Sequence, residues 1–193
     1  MDYGGFIAPL VMPGTYTVKL KIGDKEYSNT LQMVHNTENR LFTEKDRLEQ
    51  HNAGMDIFHM HERLAVLVDK INAEQKVIKE SMDSIVGAKS KRWLNDYNTK
   101  LETLRSTLLA TKHKSIFADE KKLREEITEL YGAVCNQECR PTNLQTARIA
   151  SLNDELKKGE EDFEKLYNEN GKKAPDVIKE GKMKQGEHSR GAN

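Results

Sequence analysis

Residues 53–71 read AGMDIFHMHERLAVLVDKI, and Ala53, Ile57, Met60, Leu64, Leu67 and Ile71 recur there at spacings of 4, 3, 4, 3 and 4. An apolar repeat averaging about 3.5 residues keeps one stripe of an α-helix turned toward a partner, so this stretch predicts a long helix with a coiled-coil-like seam. A helix that is apolar on one stripe only must bury it, so further helices have to meet it. Ile78, Met82 and Ile85 extend the stripe. Thr43, three residues before Asp46 and directly after Leu41-Phe42, has the chemistry of an N-cap. Unbroken to about Val86, the helix would run roughly 66 Å; Gly54 offers a place to bend and Gly87 a place to stop.

Outward from this helix the same period returns. Leu94, Tyr97, Leu101, Leu104 and Leu108, with Trp93 beside them, predict a second helix from about Ser90 to Lys112 that pairs antiparallel with the first. A corner follows at KHKSIFADEKK (residues 112–122). Leu123, Ile127, Leu130 and Val134 predict a shorter third helix. Pro141 occupies a favoured first-turn position for a last helix whose stripe is Leu144, Ala147 or Arg148, Leu152, Leu156, Phe163 and Leu166. From Gly171 the chain holds six Lys and Arg against three Asp and Glu, with four Gly and a Pro, which predicts a frayed basic tail.

Ahead of the helices the period changes to two. In TYTVKLKI, Tyr16, Val18, Leu20 and Ile22 alternate with Thr15, Thr17, Lys19 and Lys21, as in a strand with one covered face. Gly23–Lys25 supplies turn chemistry and EYSNTLQMV returns with Tyr27, Leu31 and Met33 facing inward. The fold class that follows is mainly α: an antiparallel up-and-down bundle of three to four helices with a long first helix, preceded by a β-hairpin. The expected divisions are residues 1–36 for the hairpin, 37–42 for a linker, 43–170 for the bundle and 171–193 for a flexible tail. Two strands alone are marginal in water, so the apolar face should lie on the helices, pair with a neighbouring molecule, or stand exposed.

Composition narrows the function. The formal charge is zero, with 31 Lys and Arg against 31 Asp and Glu, so nothing calls for a polyanionic partner, and no nucleic acid is expected. No segment approaches the roughly 18 apolar residues of a membrane helix, and no basic leader precedes an apolar run. The opening DYGGFIAPLVMPG reads as the middle of a loop and strand, which predicts a piece of a longer chain.

Candidate chemistry is sparse. HMHERL (His59–Leu64), with His51 upstream, suggests a metal site, but His59 and His61 diverge by about 200° on a helix, and His59 with Glu62 is the pair that aligns. The carboxylates of EKKLREEITE and KKGEEDFEKL are interleaved with Lys and Arg, as on solvated faces. Trp93 and Tyr97 beside KSKRW read as bundle packing rather than as a base-stacking surface. There is no activated nucleophile and no phosphate-cradling loop, so no catalytic residue, metal or cofactor is expected. The two cysteines, Cys135 and Cys139, are too few for a disulfide framework or a four-ligand zinc site. They are either two free thiols or, where the helix end frays in an oxidising compartment, a local disulfide.

The order of features resembles a known family. APLVMPGTYTVKLKIGDKEYSNTLQM (Ala8–Met33), a long helix carrying Ile71-Asn72, and LREEITELYGAVCNQECRPTNLQTARIASLNDEL (Leu123–Leu156) are similar to the C-terminal portion of secreted bacterial sortilin-like, BNR-repeat propeller proteins, often labelled glycosyl hydrolases. The likeness runs from Pro9 to Leu166 and is anchored on PGTY (Pro13–Tyr16) and RPT (Arg140–Thr142). It implies β-propeller domains upstream, an immunoglobulin-like sandwich of which the hairpin is the closing pair of strands, and a periplasmic or extracellular location, with which a Cys135–Cys139 disulfide would agree. The propeller and its Asp-box-like repeats are missing here, so no hydrolytic residue is carried over. The expected role is a non-catalytic accessory or interaction module. The alternatives are a segment bordering the active site of a BNR-repeat glycosyl hydrolase, and a free-standing coiled-coil adaptor.

Overall fold

A computed structural model describes residues 9–35, 38, 41–110 and 120–183. The fold is mainly α, a helical bundle preceded by a β-hairpin. In chain order its elements are β1 (Gly14–Ile22), β2 (Lys25–Met33), α1 (Glu44–Met82), α2 (Ala88–Leu108), α3 (Leu123–Cys135), α4 (Asn143–Glu169) and α5 (Ala174–Met183), with a 3-10 turn at Gly171–Lys173 leading into α5. The described residues fall into two compact units. One comprises those through His59 with Glu129–Ile149, and the other those of Met60–Thr128 and from Ala150 onward.

The starts of α1 and α4 are fixed by reciprocal side-chain caps. Thr43 Oγ1 accepts the Asp46 N–H at 3.2 Å, while Asp46 Oδ2 accepts from the Thr43 N–H at 3.1 Å and the Thr43 hydroxyl at 2.6 Å. That capping box satisfies donors which the first turn leaves unpaired, and the two Thr43 donors hold the Asp46 carboxyl below its ordinary pKa. Phe42 is buried just ahead of the cap, with the Arg47 guanidinium 4.6 Å from its ring centre. The same box recurs at α4. Thr142 N–H donates to Gln145 Oε1 at 2.8 Å and Gln145 N–H donates to Thr142 Oγ1 at 3.2 Å. Because Thr142 takes the cap, Pro141 sits just outside the helix rather than in its first turn. The box also turns Gln145 inward, and the stripe runs Gln145, Ile149, Leu152, Leu156; the expected Leu144 is one residue out of step and 80% exposed.

The α1 seam is buried as its spacing requires, and the helix continues through Gly54 without a break. In the first unit Ile57, Leu130, Tyr131, Val134 and Ile149 are all buried. Gln50 Nε2 donates to the Val134 carbonyl at 2.9 Å and to the Gln137 carbonyl, closing the C-terminal end of α3. A Cβ on Gly54 would meet Cys135 Sγ at 3.0 Å, so the glycine makes room for the thiol.

In the second unit Leu64, Leu67, Ile71 and Ile78 of α1 are buried with Leu94, Tyr97 and Leu101 of α2 and Leu152, Leu156 and Phe163 of α4. Each such side chain contributes about 1.5–3 kcal/mol on burial. Gly159 lets α4 approach closely, since a Cβ there would lie 3.0 Å from Leu108 Cδ2 and 3.6 Å from Leu67 Cδ2. Arg63 clamps the same region. It bonds both Glu160 oxygens, at 3.0 and 2.6 Å, and Asn153 Oδ1 at 2.7 Å.

Three expected boundaries shift. α1 stops at Met82, and Gly87 serves as the N-cap of α2 instead of ending α1. α2 begins two residues early and ends at Leu108 rather than Lys112, because Leu109 turns to extended backbone and the Ala110 N–H is taken by Glu125 Oε2 at 3.2 Å. Most of the expected corner after it lies outside the described residues. The largest correction concerns the tail expected from Gly171, which is ordered through Met183. Gly171, Ala174 and Gly181 are buried, and the Gly181 carbonyl accepts the N–H groups of Val86 and Gly87 at 3.2 and 3.4 Å. Glycines at 171 and 181 permit this approach: a Cβ on Gly171 would collide with the Tyr167 ring and the Tyr97 hydroxyl, and one on Gly181 would lie 2.7 Å from Ile85 Cγ2. Residues 184–193 of the expected tail lie outside the described residues.

Candidate functional site

The hairpin is the part of the molecule whose chemistry is left unused by packing. Its register is regular from Gly14↔Met33 to Ile22↔Lys25, joined by the two-residue loop Gly23-Asp24. Gly23 alone among the described residues has positive φ, at 58°, which suits the first position of a type II′ turn and costs a residue without Cβ little. Directly opposed residues share a face. Tyr16/Leu31, Val18/Asn29, Leu20/Tyr27 and Ile22/Lys25 therefore line one side, and Thr15/Gln32, Thr17/Thr30, Lys19/Ser28 and Lys21/Glu26 the other. Among the outcomes the alternation allows, the apolar side stands exposed: Leu20 is 55% and Ile22 61% accessible, with Val18, Tyr27, Leu31 and Met33 exposed beside them. That exposed apolar side is what makes the hairpin the candidate site. Among the described residues the polar side carries one ion pair, Lys19 Nζ to Glu26 Oε1 at 2.8 Å, which in solvent stabilises little.

The other candidates are absorbed by structure. His59 is exposed with its ring edge-to-face on Phe58, and His51 Nδ1 lies 2.9 Å from the Leu10 carbonyl. His61 is half-buried, and desolvation holds its pKa below the ordinary value. Among the described residues no group of three or more His, Cys, Asp or Glu side chains is placed to hold a metal ion. Tyr97 is fully buried and donates its hydroxyl to Glu74 Oε2 at 3.1 Å; burial first, then the Glu74 charge, raises its pKa. A ring so enclosed cannot stack on a base, while Trp93 beside it is half-buried.

Cys135 and Cys139 carry free thiols. Cys135 ends α3 half-buried, its Sγ turned toward Gly54, and burial raises its pKa; Cys139 is exposed, with Sγ 3.7 Å from Gln137 Oε1. Burial also pushes the neighbouring Tyr131 hydroxyl up to about 12. The hollow beside Cys135, lined also by Leu10, Arg47, His51 and Gly54, measures about 20 Å³, room for a water molecule and no more. A wider groove of about 540 Å³ beside α1 and α2 is edged by Asn72, Gln75, Asn95 and Asn98 with Lys76 and Lys79, largely exposed side chains without a desolvated acid or base among them.

Among the described residues no helix is long and apolar enough to cross a membrane. Comparison of the chain with protein-family models, with curated proteins and with solved structures returns no match in any of the three.

Proposed function

We propose that this chain is a non-catalytic accessory module of a secreted, sortilin-like propeller protein, in which the bundle braces the assembly and the hairpin docks against a partner sheet. The observation that carries the reading is the exposed apolar side of β1 and β2: a two-stranded ribbon is marginal alone, and a second sheet packed about 10 Å away would cover it. The order of PGTY, the long helix and RPT supports the propeller context, and with it a periplasmic or extracellular location. The buried seam of α1 speaks against a free-standing coiled-coil adaptor, which would keep an unfilled seam for its partner helix.

The test is binding of the full chain to a purified sortilin-like propeller with its adjoining β-sandwich. Replacing Val18, Leu20 and Ile22 by Thr should weaken capture tenfold or more, about 1.4 kcal/mol, with helical circular dichroism unchanged. Undiminished capture by that variant would remove the docking role from the hairpin. Glycan hydrolysis that disappears when this segment is deleted from a propeller enzyme would instead favour the active-site-border reading.

A further inference from the structure

The hairpin's two open edges are not equivalent, and from the difference we propose that β1 is a strand-addition site, taking an extended segment of another polypeptide in which apolar and acidic residues alternate. The inference deepens the reading of this chain as an interaction module and rests on it. A two-residue loop makes Ile22 and Lys25 a hydrogen-bonded pair, and alternation gives the same status to Leu20–Tyr27, Val18–Asn29 and Tyr16–Leu31. The N–H and C=O groups of the alternate residues point away from the ribbon, from Thr15, Thr17, Lys19 and Lys21 on β1 and from Glu26, Ser28, Thr30 and Gln32 on β2.

On β2 that edge is closed near its middle, because the Thr30 N–H is bonded to Asn29 Oδ1 at 2.8 Å. Among the described residues no side chain occupies the outward amides of β1, and its nine residues run without a bulge. Charge then selects the occupant. Lys19 and Lys21 lie on the polar side of β1; Lys19 shares Glu26, and Lys21 has no carboxylate within ion-pair distance among the described residues. Two copies meeting through their β1 edges would set lysine beside lysine, which disfavours self-pairing. A foreign strand with acidic residues at alternate positions meets both lysines, and its apolar residues extend the row of Tyr16, Val18, Leu20 and Ile22.

The experiment uses the full isotope-labelled chain and a capped peptide of alternating Val and Glu, with an alternating Val and Lys peptide as control, read by amide hydrogen exchange. The acidic peptide should slow exchange at Thr17, Lys19 and Lys21 by about tenfold or more and leave Ser28 and Thr30 unchanged, while the basic peptide does nothing. Thr17→Pro removes one outward N–H without touching the ladder between β1 and β2. It should abolish the effect while the Leu20 and Tyr27 amides stay protected, and Lys19→Glu with Lys21→Glu should transfer the preference to the basic peptide. Protection on β2 instead of β1, equal protection by both peptides, none with either, dimerisation of the chain through this edge, or full binding by Thr17→Pro would each overturn the proposal. Peptide addition at β1 without capture of a propeller would retire the propeller assignment and leave the edge standing.

Discussion

The hairpin and α5 are both small elements attached to the long helices, and they end in opposite states. The hairpin is strongly amphipathic, yet its apolar side is exposed. α5 has ten residues, too few to hold a helix in water by themselves, yet Ala174 at its start, Gly181 near its end and Gly171 in the turn that leads into it are buried. The difference lies in how closely backbone can approach backbone. At α5 and in the turn before it, glycines admit the Tyr167 ring, the Tyr97 hydroxyl and the Ile85 side chain at distances that a Cβ would forbid, and a main-chain carbonyl caps the turn before α2. Amphipathic patterning states which side wants cover, whereas small residues at a contact supply it.

The sharpest way to break this contrast is to cut the same side chain in both places. Leu101→Ala, at a fully buried seam position, should cost about 2–5 kcal/mol in urea unfolding. Leu20→Ala, on the open ribbon, should stay within about 0.5 kcal/mol. Comparable losses would mean that the hairpin side is covered in solution.

A smaller effect isolates the glycine contact. Gly171→Ala places a Cβ against the Tyr167 ring and the Tyr97 hydroxyl, and overpacking of this kind should cost about 1–3 kcal/mol. Gly14→Ala meets only an ordinary contact, Tyr16 Cε2 at 3.7 Å, and should be close to neutral. If Gly171→Ala were equally harmless, α5 would not be held where the structure places it.

Smaller again is a pH effect within the second unit. Burial holds the pKa of His61 below its ordinary 6.5, so the unfolded chain takes up the proton first. The stability contributed by neutral His61 is present above about 6.5 and declines as the pH falls from there toward the folded-state value. His61→Phe should flatten that limb of the unfolding midpoint against pH. An unchanged slope would assign the titration elsewhere.

Much of this architecture was legible in the residues because a long periodic signal tolerates local error. The α1 seam and the Leu94, Tyr97, Leu101 row are buried where spacing puts them. Local chemistry was harder. Leu144 looked like part of the α4 stripe, but the Thr142–Gln145 cap sets the phase one residue later. The Lys- and Gly-rich stretch from Gly171 reads as a tail because glycine marks both loose chain and tight contact, and only the partner surface distinguishes the two. For the candidate site, alternation named the two sides of the hairpin. Its unequal edges depend on a single bond from Thr30 to Asn29, which no pattern announces.

The same contrast between an enclosed and an open position holds within four residues of chain at the end of α3. Cys135 faces Gly54 with its pKa raised by burial, whereas Cys139 is exposed. Because the thiolate is the nucleophile, iodoacetamide at neutral pH should modify Cys139 first and Cys135 on the order of tenfold more slowly, as read by mass spectrometry of the digested chain. Gly54→Ala, which sets a Cβ 3.0 Å from the Cys135 sulfur, should displace that thiol and narrow the gap. Equal labelling rates in the parent chain would show that the thiol is not held against the helix at all.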